Sequence, residues 1–366
     1  MAIDNDNDNN NGGGELCELQ SSSSPSLMAN YERKIVWRNV IALTTLHIIA
    51  IYYFCTNSMN PSIQWYHLLI PDIFGRLSGL GILAGAHRLW AHRSYRARLP
   101  LRIVLMLLQT MALQNDIYDW CRDHRVHHKY SDTDADPYNV RRGFFFSHMG
   151  WLLVRKHPEV VRKGKTIDLT DLWADPVVRF QRRFYIPLVI LVWGILPTYI
   201  GHLLTGLPWW ECFFGAVIFR YVYSLHCTWT VNSLAHMYGY RTFDRSYEPR
   251  ENRLVTYLSL GEGYHNYHHV FPWDYSASEL GWTKCFNIAT LFIDLCAWLG
   301  LADQRKKADQ KLINDRLKRT GNLDEYQRQT NRNFHQIFID YLIGFIISEH
   351  LLWITFALRY WSNGTI

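Results

Sequence analysis

No two of the seven cysteines stand two apart: they fall at positions 17, 55, 121, 212, 227, 285 and 296 of 366 residues. That scatter excludes a CxxC zinc or disulfide framework and reads as reduced, individually placed thiols. The amino terminus, MAIDNDNDNNNGGGELCELQSSSSPS, lacks a basic start followed by an apolar core, so a cleavable signal peptide is not expected there. It is low in complexity and polar, and residues 1–31 are expected to be a disordered tail. An acidic excess is also missing, since 38 basic residues face 32 acidic ones for a net charge of +6. This balance suits an anionic membrane face or a phosphate-bearing substrate rather than nucleic acid, because the basic residues accompany apolar spans. High overall hydropathy is lacking as well: a mean of -0.15 excludes a chain that is membrane throughout. Yet 48% of residues are apolar and 15% aromatic, including 15 Trp and 22 Tyr. Aromatics at that density suit membrane interfaces. A few apolar spans carrying a large polar domain reconcile the two.

About 20 apolar residues of helix cross a bilayer. Four regions qualify, at roughly 36–56, 64–86, 185–206 and 210–231. The second is interrupted by Pro71, Asp72 and Arg76, and its glycines at 75, 79, 81 and 85 suit close helix packing or a channel wall. The stretch LPLRIVLMLLQTMAL is short and is expected to lie along the membrane or against the soluble part. Basic residues fill the segment from Arg88 to Arg183 and follow the fourth span, which places both segments on the cytosolic side. The tail at 334–361 is apolar but broken by Asp340, Glu349 and His350, leaving an interfacial or packed helix and a fifth crossing both open.

Histidine carries the chemistry. DWCRDHRVHHKY holds His124, His127 and His128, and GEGYHNYHH repeats the spacing with His265, His268 and His269. At 3.6 residues per turn, positions i, i+3 and i+4 share a helix face, while the last two residues diverge by roughly 100°, which lets neighbours serve different ions. HRLWAHR adds His87 and His92, which an α-helix would splay by roughly 140°, poorly placed for one ion and better placed for two. VNSLAH puts Asn232 and His236 on one face. Nine imidazoles without thiolates suit first-row ions such as iron, copper or zinc, and they exceed one coordination sphere, so two metals are implied. Asp116, Asp119, Asp123 and Glu262 are candidates to orient imidazoles.

With HRLWAHR, HRVHHKYSDTDADP and GEGYHNYHHVFPWDYSASE in this order, and with QNDIYDWCRDH and RRGFFFSHMGWLLVRKHP between them, the chain resembles the membrane-bound acyl-CoA delta-9 (stearoyl-CoA) desaturases over about residues 32–320. The resemblance implies an all-α integral membrane fold, four transmembrane helices under a cytosolic helical cap at 87–183 and 232–320 that holds a histidine-rich di-iron site. It implies that His87, His92, His124, His127, His128, His236, His265, His268 and His269 ligate two ferrous ions, with Asn232 approaching one through water. Asn39, Asn115, Arg122, Asp123, Arg155 and Lys156 match residues that hold the CoA head group, and their donors and charges fit phosphates and amides. Gln114, Trp120 and Thr228 match the bend of the acyl tunnel, with Trp229 beside them. The implied reaction is insertion of a cis double bond between carbons nine and ten of a saturated fatty acyl-CoA, using O2 and two electrons from cytochrome b5 and its NADH-dependent reductase. The implied place is the endoplasmic reticulum membrane, multi-pass, with cap and amino terminus cytosolic.

Asp134 stands where many animal relatives carry histidine, outside the nine ligands. Gly75 and Gly79 stand at the blind end of the implied tunnel where relatives often have bulkier residues, so a deeper tunnel and tolerance for longer chains are expected. The tail at 321–366 has no counterpart in the resemblance and carries no HPGG-type haem signature, so the electron donor is expected to be a separate protein. A lipid hydroxylase, or a desaturase of another lipid, is the nearest rival, although such relatives commonly space the first box HxxxH where this chain has HxxxxH. A metal transporter is a different class, and it would place its ligands near the bilayer midplane rather than at helix ends.

Overall fold

The computed structural model describes residues 32–59 and 68–363. The expected disordered tail at 1–31, Cys17, and residues 64–67 of the expected second span lie outside them. Two units are distinguished, Met1–Lys34 and Ile35–Ile366. Residues 32–34 of the first have no regular structure. Among its described residues the second is mainly helical, with a two-residue antiparallel pair, β1 (Arg96–Ala97) with β2 (Ala302–Asp303), and isolated bridges such as Ile35 with Val154.

Among the described residues, three helices are long and apolar enough to cross a membrane: α1 (Trp37–Met59), α2 (Leu69–Ala91) and, beyond the shorter α3 (Leu99–Ala112) and α4 (Ile117–Lys129), α5 (Tyr185–Thr205). The expected fourth span lies inside α6, one continuous helix over 209–237, which is not among the helices that reach this apolarity. Arg220, buried within α6, shows why. Its Nε donates to the Ala216 carbonyl at 2.7 Å and an Nη to the Met111 carbonyl at 3.1 Å, so the helix trades apolar residues for inward-facing polar contacts. A further candidate crossing is the pair α8 (Phe334–Ser348) and α9 (His350–Asn363), bent by 66° at Glu349, with α7 (His265–Val270) preceding them. Large apolar side chains such as Ile48, Ile190, Leu203, Phe338 and Trp353 are exposed along these helices, as lipid-facing surface requires.

The glycines of α2 divide between the two expected uses. A Cβ on Gly81 would lie 2.3 Å from the Gln109 backbone nitrogen of α3, so that glycine permits close packing. At Gly75 and Gly79 an added Cβ would meet only side chains, at 3.4 Å or more, which is ordinary contact distance, and both glycines line a cavity.

α2 also changes its winding. From Gly81 to Ala91 it is held by i→i+5 hydrogen bonds, ending with His92 N–H to the His87 carbonyl at 3.0 Å. Wide turns of this kind are rare in helices and concentrate at functional sites.

Candidate metal centre and adjoining cavity

α4 begins at Asp116, whose carboxylate accepts from the Asp119 amide at 2.9 Å, a side-chain cap that satisfies one orphan donor of the first turn. From that start the α-helical period puts His124 and His128 on one line and His127 beside it. The structure divides the nine histidines accordingly. His87, His92, His124, His128 and His268 form one group and His127, His236, His265 and His269 another, each with one ligand nitrogen per residue within 4.8 Å of the rest. Each HxxHH is therefore shared between the groups: α4 gives two imidazoles to the first and one to the second, and α7 does the reverse.

His87 and His92 depart from expectation, since both serve the same group. An i→i+5 bond stacks residue i+5 over residue i, so the wide winding of α2 cancels the divergence that an α-helix would impose. The HxxxxH spacing works here because the helix between the two histidines is not α.

The Nε2 atoms converge. His87 and His268 lie 2.9 Å apart, His92 and His124 2.8 Å, His128 and His268 3.1 Å, His236 and His265 3.0 Å, and His265 and His269 3.2 Å. Two nitrogens about 2.1 Å from one ion and at right angles are about 3.0 Å apart, so the arrangement fits an ion in each group. The opposite ring nitrogens turn to carboxylates. His127 Nδ1 meets Asp136 at 2.9 Å, and His87 and His236 meet Glu262 and Asp132 at 3.2 Å each. Such carboxylate partners fix ring orientation in metal sites. Of the carboxylates expected in this role only Glu262 fills it. Asp116 and Asp119 pair with Arg182, and Asp123 with Arg122 and Lys156, so none of the three touches an imidazole. Asp132 and Asp136 were missed, although they follow the second box directly in YSDTDADP. Asp134, between them, pairs with Arg142 away from the histidines.

Electrostatics favour neutral imidazoles at six of the nine positions; at His127 burial also opposes charge, but Asp136 beside it outweighs that and raises the imidazole above its ordinary value. Burial first, then neighbouring imidazoles, push His92, His124, His128, His265, His268 and His269 well below the ordinary histidine range. Burial also opposes charge on Glu262 and Asp132, but Arg88 with His87 in one case and His236 in the other hold both carboxyls down at about 2. A neutral imidazole with a free lone pair, backed by an anion, is what a divalent cation binds.

The first group opens onto a cavity of about 1050 Å³ through His124, with Asn232 also in the wall. Trp120 stacks on His124 with ring centroids 4.8 Å apart. Asn39, Asn115, Asp123 and Trp229 line the same cavity. Gln114 and Thr228, joined by a 3.0 Å hydrogen bond, line both this cavity and a second one of about 670 Å³ that contains Gly75 and Gly79. The cavities thus meet at Gln114 and Thr228. On the other side, Asp123 belongs also to an open groove with Arg122, Lys156 and Lys165, the last not anticipated from sequence. Arg155 is exposed and lines neither the groove nor the cavities.

Another histidine chain escaped sequence reading because its members are remote in the chain. His47 Nε2 and His226 Nε2 are 3.0 Å apart, and His226 Nδ1 and His148 Nε2 3.0 Å, packed around Trp229. His226 turns a different nitrogen to each partner, so the three do not converge on one point.

Comparison with known proteins gives a match to the fatty acid desaturase family model over residues 63–284. Stearoyl-CoA desaturase 5 of Bos taurus is 54% identical over 291 residues, covering 80% of this chain and 85% of the relative. The stearoyl-CoA desaturase of Homo sapiens is 53% identical over 286 residues, 78% of each chain, and acyl-CoA desaturase 3 of Mus musculus 52% over the same length.

Proposed function

The chain belongs to the fatty acid desaturase family, and from that premise we propose that it is an acyl-CoA delta-9 desaturase, an oxidoreductase that places a cis double bond between carbons nine and ten of a saturated fatty acyl-CoA. The observation that carries this reading is the junction, at His124, of a five-histidine group with a cavity that continues past Gln114 and Thr228 into a second one. Two ferrous ions held by the nine histidines would supply, with O2 and two electrons from cytochrome b5, the oxidising strength that an unactivated methylene demands and that no acid or base can provide.

The residues of the chain then position rather than react. Asp132, Asp136 and Glu262 accept from the Nδ1–H groups of His236, His127 and His87, which would leave each Nε2 lone pair free for an ion. Arg122 and Lys156, which share Asp123, suit the phosphates of CoA, with Asn39 and Asn115 at the mouth and Arg155 contributing charge at the surface. Trp120, Gln114, Thr228 and Trp229 shape the bend that selects the carbons presented to the first histidine group. Asn232, half-buried in the same wall, suits a water-mediated approach to one ion. The reading includes the endoplasmic reticulum membrane, with histidine cap and amino terminus cytosolic, and electrons passed through cytochrome b5 from its NADH-dependent reductase.

Expression in desaturase-deficient yeast followed by fatty-acid analysis tests it. New cis-9 monounsaturated acids are expected. Their absence, with the protein present and iron-loaded, would reject the assignment.

A further inference from the structure

The lower cavity poses a question that Gly75 and Gly79 sharpen. If α2 leaves its wall open there, something else must end the space available to a hydrocarbon. Arg76 follows Gly75 in that wall, Asp72 lies one turn before it, and both line the cavity. Arg76 Nε donates to Asp72 at 2.7 Å, while an Nη pairs with Glu349 and also donates to the Ser348 carbonyl at 3.3 Å. Ser348 and Glu349 sit at the 66° bend between α8 and α9, beyond the residues 63–284 that the family model matches. An ionisable cluster inside a spanning bundle is costly unless it has work to do.

We propose that the C-terminal helix pair α8–α9 is the floor of the acyl cavity, and that the Asp72–Arg76–Glu349 cluster at its bend is the stop that sets acyl chain length. Alkyl carbons gain free energy by filling apolar space but cannot replace the partners of a half-buried ion pair, so the chain ends where the ion pairs begin. Beyond the cluster lies an adjoining cavity lined by Phe54, Leu68, Phe219 and Leu351, which shares Asp72, Tyr223 and Ser348 with the first. The cluster therefore stands between two apolar spaces. The helix pair does not depend on Glu349 for its attachment. Asp340 of α8 accepts from Tyr257 Oη at 2.7 Å, from the Phe286 amide at 2.9 Å and from Arg332 at 3.1 Å, and Arg359 of α9 donates to the Ser58 and Asn57 carbonyls at 3.0 and 3.1 Å. Removing the Glu349 carboxylate should thus alter the floor without releasing it.

The inference rests on the desaturase reading, and the test separates the two. Full-length protein in yeast membranes is assayed with a mixture of saturated acyl-CoAs from about fourteen to about twenty-two carbons, scored as the ratio of long to short products. Glu349→Ala should join the two spaces and raise that ratio about fourfold or more, the scale of one extra buried methylene. Ser348→Phe fills the floor and should lower it. A purely structural role would reduce all products together and leave the ratio unchanged, and that result in Glu349→Ala overturns the proposal. Should Glu349→Ala yield no product, Ser348→Phe decides: an unchanged ratio there overturns it too. If the unsubstituted chain makes no product from any acyl-CoA, the desaturase reading itself falls and this inference with it.

Discussion

At the scale of single residues, the carboxylates separate orienting partners from bystanders. Asp136 is 1% exposed and meets His127 Nδ1 with both oxygens, at 2.9 and 3.0 Å. Loss of such a partner typically costs about 10- to 100-fold in metal affinity. Asp136→Asn should therefore lose bound metal to a competing chelator at concentrations that leave the unsubstituted protein loaded. Asp116→Asn should retain metal like the unsubstituted protein, because Asp116 caps α4 and pairs with Arg182 instead. Metal content after graded chelator dialysis reads both. Proximity in sequence points towards Asp116, Asp119 and Asp123, which all precede the second box. Asp132 and Asp136 reach the imidazoles because the chain turns back after Lys129, with Asp132 in the left-handed region at φ 58° and its amide donating to Asp136. Helical spacing cannot reveal a turn of that kind.

Among the elements, α2 decides which histidines act together. Its wide winding brings His87 and His92 into one group, with ring centroids 4.8 Å apart. His87→Ala and His92→Ala should each weaken the same ion, so the double variant should lose little more metal than either single. His92→Ala combined with His127→Ala should instead lose both ions. Metal stoichiometry of the purified variants checks this, and additive loss in the first pair would contradict the winding. The α-helical boxes behaved as their spacing required, since i and i+4 fell together and i+3 fell apart in both α4 and α7. The first box did not, because the choice between i→i+4 and i→i+5 bonds depends on packing along α2. Gly81 pressed against the α3 backbone and Cys121 donating to the Ala86 carbonyl at 3.3 Å are contacts with segments distant in sequence.

Across the whole molecule, buried charge holds the metal-bearing segments in register. Arg88, 1% exposed, donates to Glu262 at 2.6 Å, to Thr290 at 2.8 Å and to the Tyr275 carbonyl at 3.0 Å. It thereby ties the end of α2 to the segment before α7 and to the helix Ile288–Trp298. Arg88→Ala would leave Glu262 charged and buried, an outcome that typically costs about 3–5 kcal/mol. Thermal unfolding of the detergent-solubilised protein should show a correspondingly large fall, together with metal loss, since His87 shares Glu262. A drop no larger than that of an exposed ion pair would refute a coupling role for Arg88.

The sequence alone determined the helical class, the apolar spans at α1, α2 and α5, and the nine histidines, because each is written in local spacing and composition. It could not determine that α6 would run unbroken from 209 to 237, nor that α8 and α9 would bend onto Arg76. Tertiary structure alone decided which histidines cluster together, which carboxylates face them and what closes the cavity beyond Gln114 and Thr228. These are properties of residues as far apart as His87 and His268 or Arg76 and Glu349, and contacts at such separations are fixed by packing rather than by periodicity.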